Sequence, residues 1–254
     1  MTSRIARRRA FTLVEMLVVT AITALLVTIV LASVSKVRAA ARSVICMNSM
    51  KTVGYEFFHF ADDYSRANRG DSAKYGGKTF RIEDFQEKQY RIDEFWDGGD
   101  VTTAGFGHDG SPMLCASAEG AVQRQRGLPC SERAVTPIEY VSTAFNMRLD
   151  QVSTTQFGMP RLQRTLLRSD VLDHPSVPLM FDADGEAANA QGVLPYYAAP
   201  PVGDEGLYES GDFWFPSKRH AGRTNVGFVG GHVLRSMSPE DEHDWEWEYQ
   251  PPLR

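Results

Sequence analysis

The chain has no GxSxG, HExxH, P-loop or CxxC motif, and its serines, histidines and aspartates are too scattered to nominate a triad. On these absences no enzyme is expected. Internal repeats and low-complexity tracts are also missing. An excess of basic charge is lacking: 27 Lys and Arg face 32 Asp and Glu, a formal net charge of −5. Nucleic-acid binding favours clustered basic surface, so that class of partner is not expected. The most local absence is the most informative. From Phe11 to Val34 there are 24 residues without one Lys, Arg, Asp, Gly or Pro.

A helix over that run is about 36 Å long at about 1.5 Å per residue, against a bilayer core of about 30 Å. Arg4, Arg7, Arg8 and Arg9 precede it, which predicts a cytoplasmic N-terminus with the remainder exported. An ordinary secretory signal has a shorter apolar core and a small-residue cleavage site. Ala32 and Ser33 keep that reading open, and an uncleaved signal anchor is a separate alternative. One acid, Glu15, interrupts the run, and a carboxylate at the start of a membrane helix is costly and kept for a reason.

The junction Ala10-Phe11-Thr12-Leu13-Val14-Glu15-Met16-Leu17 resembles the type IV prepilin signal of pilins and type II secretion pseudopilins. The resemblance implies that prepilin peptidase cuts between Ala10 and Phe11 and methylates the new amine. Alanine stands where the family usually has glycine, which predicts slower processing. Glu15 would become the fifth residue of the mature chain. The resemblance further implies that it meets the N-terminal amine of a neighbouring pilin or pseudopilin subunit, since a carboxylate in low dielectric demands a partner. Loss of the leader's four arginines takes the formal net charge from −5 to −9.

Beyond the run, Lys36 to about Tyr64 continues as an amphipathic helix. Val37, Ala40, Ala41, Val44, Ile45, Met47, Met50, Val53, Tyr55, Phe57, Phe58 and Phe60 form the apolar stripe. Arg81 to Phe95 reads as a short helix, Pro160 to Leu167 as a candidate helix, and Val177 to Phe181 and Asn225 to Leu234 as strands. Turn signals stand at 75–78, 97–100, 105–110 and 181–185. Strands after one long helix predict an α+β, pilin-like fold, with the helix packed on a small antiparallel sheet. The expected organisation is a leader at 1–10, a transmembrane half-helix at 11–34, an amphipathic half at 35–65, and one exported domain at 66–254. With 254 residues, 43% of them hydrophobic and 23% charged, one domain beside the anchor is the expected number.

A second resemblance covers both ends of the chain. Arg42-Ser-Val-Ile-Cys46-Met-Asn48-Ser-Met-Lys51-Thr-Val-Gly54 looks like the segment after the membrane helix in large pilin-like families of planctomycetes and their relatives. His220-Ala-Gly-Arg-Thr-Asn225-Val-Gly-Phe-Val-Gly230-Gly231-His-Val233 resembles the H-X9-DG motif that names one of them. Gly230 replaces the aspartate of that motif, removing an obvious carboxylate partner or ligand at the turn. Met113-Leu-Cys115-Ala-Ser117 resembles the same family's Cys-Pro-Ser segment, with alanine for proline. Physically, Asn225 to Leu234 reads as strand, turn and strand. Gly231 serves a positive φ, Gly230-Gly231 suits a two-residue loop, and His220 closes a loop by hydrogen bonding.

The three cysteines leave two pairings open. Cys115 and Cys130, separated by 14 residues, close a loop worth about 3 kcal/mol. Cys46 with Cys115 ties the helix to the domain, and the resemblance favours this pairing because both lie in its segments. Asp182 and Asp184 have the spacing of some calcium loops without the EF-hand pattern, and a solvated turn fits the same residues. Some pseudopilins bind calcium in a C-terminal loop, which makes calcium the one cofactor the resemblance suggests. Trp214, Trp245, Trp247 and Tyr249 fit either a binding surface or the end of a core. Two function classes follow. One is a structural subunit assembled through its helix into a type IV filament or type II secretion pseudopilus. The other is an exported binding module, held in the inner membrane, that uses the signal for export only.

Overall fold

A computed structural model of the chain describes residues 12–67, 79–90, 115–118, 142–156, 159–191, 197–203 and 208–250. Ala10, Phe11, Cys130 and the turn signals at 75–78, 97–100 and 105–110 lie outside the described residues. The first element is helix α1 (Leu13–Ala67), 55 residues long. The chain divides between Ala41 and Arg42 into two units.

In the first unit, α1 exposes every large apolar side chain from Leu13 to Leu31. Its few hydroxyls bond to the helix's own carbonyls: Thr20 to Leu17 at 2.9 Å, Thr23 to Val19 at 2.9 Å, Thr28 to Leu25 at 2.7 Å and Ser33 to Val30 at 2.8 Å. A hydroxyl satisfied in this way costs little in a medium without water. This helix is long and apolar enough to cross a membrane.

The second unit is α+β. After α1 come β1 (Thr79–Phe80), α2 (Ile82–Tyr90), β2 (Thr143–Asn146), β3 (Gln151–Gln156), β4 (Met159–Arg164), β5 (Leu167–Arg168), β6 (Pro178–Asp182), α3 (Gly185–Ala190), β7 (Tyr197–Ala198), β8 (Thr224–Phe228) and β9 (Val233–Ser236). The main sheet has the order β7-β2-β6-β8-β9, antiparallel except where β2 meets β7. The expected helix at Pro160–Leu167 is instead strand β4, paired with β3 from Gln151↔Arg164 to Gln156↔Met159. Val152, Thr154 and Thr155 make β3 a β-branched partner, and pairing along six residues outweighs the weak helical pattern of β4.

Register sorts the sheet's two faces. Phe145, Met180 and Gly227 lie side by side across β2, β6 and β8. Their face meets α1: a Cβ on Gly227 would stand 3.5 Å from Met50 Cβ. Here α1 buries Cys46, Met50, Val53, Phe57 and Ala61 at three- and four-residue spacing. Phe57 meets Phe80 and Phe85 edge-on at 5.9 and 5.3 Å, and α2 closes this core with Ile82 and Phe85. Each such side chain contributes about 1.5–3 kcal/mol of burial. The buried stripe is narrower than the sequence predicts, because Val44, Ile45, Tyr55 and Phe58 point outward and are exposed. Ala144, Phe181, Val226 and Phe228 cover the opposite face with Phe215 and Trp247. Trp247 is buried there with its indole N–H on Pro239 O at 2.8 Å, so it finishes a core.

Candidate functional site

Two places gather the residues singled out from the sequence. The first is the start of α1. Glu15 Oε2 accepts from Thr12 N at 2.8 Å and from Thr12 Oγ1 at 2.9 Å, while Glu15 N approaches Thr12 Oγ1 at 3.3 Å. This is a reciprocal capping box, in which a threonine ahead of the helix and an acid three residues later satisfy each other's donors. Thr12 is thus a functional neighbour that the sequence analysis missed, although the Thr-x-x-Glu spacing was there to find. The cap supplies neutral donors, and among the described residues no cationic side chain pairs with the carboxylate.

The second place lies on the helix-facing side of the sheet, one row beyond Met180. Thr143 pairs with Asp182 and Asn225 pairs with Arg235, and the same register sets Asp182 beside Asn225. Strand alternation turns this polar row toward α1. The row is tied to the helix at its edge, where Arg235 Nη1 donates to Ser43 Oγ at 3.2 Å. Cys46, one turn before Met50, is bonded to Cys115 with Cα atoms 4.9 Å apart. Of the two pairings open from sequence, the structure contains Cys46–Cys115. Cys115 N donates to Ser142 Oγ at 2.8 Å, which fixes the short segment 115–118 against β2.

His220 completes the cluster. Its Nε2 lies 3.3 Å from Cys115 Sγ and 3.2 Å from Asp182 Oδ2, and all these groups are buried. Asp182 Oδ2 also accepts from Asn225 N at 3.1 Å, and Arg219 Nη2 sits 3.5 Å from Asp182 Oδ1. Arg219 reaches two further acceptors, Ser142 O at 2.5 Å and Ala183 O at 3.0 Å. The sequence gives His220 no carboxylate, because Gly230 stands where an aspartate is expected. The fold supplies one from β6 instead. Asp182 has no sequence signal linking it to His220 and is brought there by strand register, whereas Arg219 is the preceding residue in the chain.

The turn carrying His220 is tight. His220 and Arg223 exchange backbone hydrogen bonds at 3.3 Å, with Ala221 at φ 55° and Gly222 at φ 79° between them. Positive φ at both central positions holds β8's approach in a sharp reversal. At the far end of β8, Gly231 N donates to Phe228 O at 2.9 Å and Phe228 N to His232 O at 3.0 Å. Gly231 has φ 76°, as the sequence predicts. The loop is three residues, Val229 to Gly231, rather than the expected two, and ends in a left-handed glycine. Gly230 is needed for room: a Cβ there would stand 2.8 Å from Pro175 Cβ.

Asp182 and Asp184 do not share a site. Asp182 faces His220 inside the fold, whereas Asp184 Oδ1 accepts from Glu186 N and Ala187 N at 3.1 Å and caps α3. The three segments that carried the second resemblance do meet. Cys46, Cys115 and His220 form one cluster, and Gly54 lies against the Phe228–Gly231 turn. Asn225 is fully buried, and its side-chain amide has no hydrogen-bond partner among the described residues.

A family model described as the prokaryotic N-terminal methylation motif matches residues 5–31. No curated protein and no solved structure matches the chain. The matched residues contain the Ala10–Phe11 junction, Glu15 and most of the apolar run. The chain therefore carries a prepilin-type methylation signal, the substrate mark of prepilin peptidase, on a helix long and apolar enough to anchor it in a membrane.

Proposed function

We propose that this protein is a pilin-like or pseudopilin-like structural subunit of the H-X9-DG kind, which acts by assembly and not by catalysis. Prepilin peptidase removes residues 1–10 at the inner membrane. The domain faces the exported side, and α1 then packs with the helices of other subunits in a filament or pseudopilus. One observation carries this reading: α1 carries exposed large apolar side chains in each of the two units. Val44, Tyr55 and Phe58 point outward while Cys46, Met50 and Phe57 are buried, and Leu13 to Leu31 are exposed throughout. Glu15 stands in that surface with Thr12 donating to its Oε2 and no cationic partner among the described residues.

Glu15→Gln isolates the charge, because glutamine also serves in a capping box and keeps the helix start. The variant should insert and be cleaved normally. Its co-assembly should fall on the order of 100-fold, the effect of about 3 kcal/mol for an ammonium left unpaired in low dielectric. The assay is the fraction of variant recovered in sheared filaments or in cross-linked subunit complexes. Wild-type incorporation of Glu15→Gln, together with full function when α1's apolar half is replaced by an unrelated anchor, would instead mark an anchored binding module.

A further inference from the structure

We propose that Cys46, Cys115 and His220, with Asp182, form a binding site for one thiophilic divalent cation of the zinc class whenever the Cys46–Cys115 bond is reduced. Cys46 Sγ, Cys115 Sγ and His220 Nε2 all lie within 4.8 Å of one another, and all three residues are buried. They come from three distant parts of the chain: helix α1, the 115–118 segment and the turn before β8. Two thiolates and an imidazole are the donors that structural zinc sites use, with a fourth position open to a carboxylate.

The arrangement around His220 fits a cation better than it fits hydrogen bonding alone. One ring nitrogen, Nε2, faces both Cys115 Sγ at 3.3 Å and Asp182 Oδ2 at 3.2 Å. A single N–H points at one acceptor, so the other contact gains little from it. A cation held by the two sulfurs and the nitrogen lone pair uses the clustered atoms together, with the Asp182 carboxylate beside His220 to offset its charge. Charge also balances. Two thiolates, the Asp182 carboxylate, a divalent ion and the Arg219 guanidinium, 3.5 Å from Asp182, sum to zero in a buried site. With the disulfide closed, Asp182 and Arg219 again sum to zero, so the two states exchange without stranding a charge.

The exchange is a balanced reaction. A dithiol reductant attacks the Cys46–Cys115 bond and leaves as its own cyclic disulfide, passing two electrons and two protons to the cysteine sulfurs. The divalent ion then displaces the two thiol protons and binds both thiolates. Disulfide and metal are alternative closures of one junction between α1 and the sheet.

The test uses the full chain in detergent, reduced with dithiothreitol, desalted without oxygen and titrated with cobalt(II). The expected result is a thiolate-to-cobalt charge-transfer band with intense tetrahedral ligand-field bands, saturating at one ion per chain and bleached by zinc. Oxidised protein should give no band. His220→Ala should weaken binding at least tenfold, and Cys46→Ser should abolish the charge-transfer signature of two thiolates. Because His220→Ala also breaks the contact to Asp182, a second measurement is made on the wild type. Zinc should protect Cys46 and Cys115 from alkylation, read by peptide mapping, and leave Cys130 reactive. No saturable band in the reduced wild type, or zinc protection that includes Cys130 and spares Cys46, would overturn the proposal.

Discussion

Removing the Cys46–Cys115 bond by the double substitution Cys46→Ala/Cys115→Ala should destabilise the second unit by about 4 kcal/mol. The figure comes from the 69-residue separation of the two cysteines, put into the loop-entropy relation for a cross-linked unfolded chain. A typical domain is stable by about 5–15 kcal/mol, so the loss is a large share of the total. Alanine at both positions avoids burying a new polar group where Cys46 and Cys115 are now enclosed. The readout is guanidinium denaturation of the detergent-solubilised full chain, followed by fluorescence of Trp214, Trp245 and Trp247, which pack on Phe181 and Phe228. Cys130→Ser is the control and should leave the midpoint unchanged. A loss under about 1 kcal/mol in the double variant, set against the loop-entropy figure, would refute the reasoning. An equal loss in Cys130→Ser would do so as well, since it would place the structural bond elsewhere.

Two further perturbations probe the contact between helix and hairpin and the hairpin itself. Gly54→Ala gains about 1 kcal/mol of helix propensity but sets a Cβ 2.9 Å from Gly231 Cα and 3.3 Å from Phe228 O, both backbone atoms. Overpacking of about 1–3 kcal/mol should outweigh that gain and lower the denaturation midpoint, and a raised midpoint would contradict the close approach. His232 stacks on Phe228 with centroids 4.5 Å apart, and its partial burial holds the imidazole below its usual value of 6.5. The unfolded chain therefore takes up this proton at higher pH than the folded chain. Stability should fall as pH drops through about 6.5 toward the folded value. His232→Phe should flatten that part of the profile in paired denaturation curves at pH 7.5 and 5.5; an unchanged slope would remove His232 from the account.

How far the sequence reaches depends on the range of each interaction. The apolar run needs no partner to be seen, since the missing charges between Phe11 and Val34 declare it. The β8–β9 hairpin is equally local: β-branched residues flank a glycine at φ 76°, and only the loop length is off by one. The buried stripe of α1 is harder to read because the helix has apolar residues on two sides. Tyr55 and Phe58 belong to the outward side, and Gly54 joins the buried side through closeness of backbone, which no hydrophobicity pattern records. Strand β4 shows the same limit, since Pro160 to Arg164 becomes a strand through its pairing with β3. The Asp182–His220 contact spans 38 positions and follows from register between β6 and β8, so the missing aspartate at Gly230 pointed away from the carboxylate that the fold provides.

The claim that residues 1–34 are a processed assembly element, and not only an anchor, rests first on where the mature chain begins. Intact-mass and N-terminal peptide analysis of protein recovered from the membrane fraction measures this directly. The account predicts a chain starting at Phe11, lighter by residues 1–10 and carrying one methyl group on its amine. A chain that keeps Arg7 to Arg9, or one cut beyond Ala32, would contradict it.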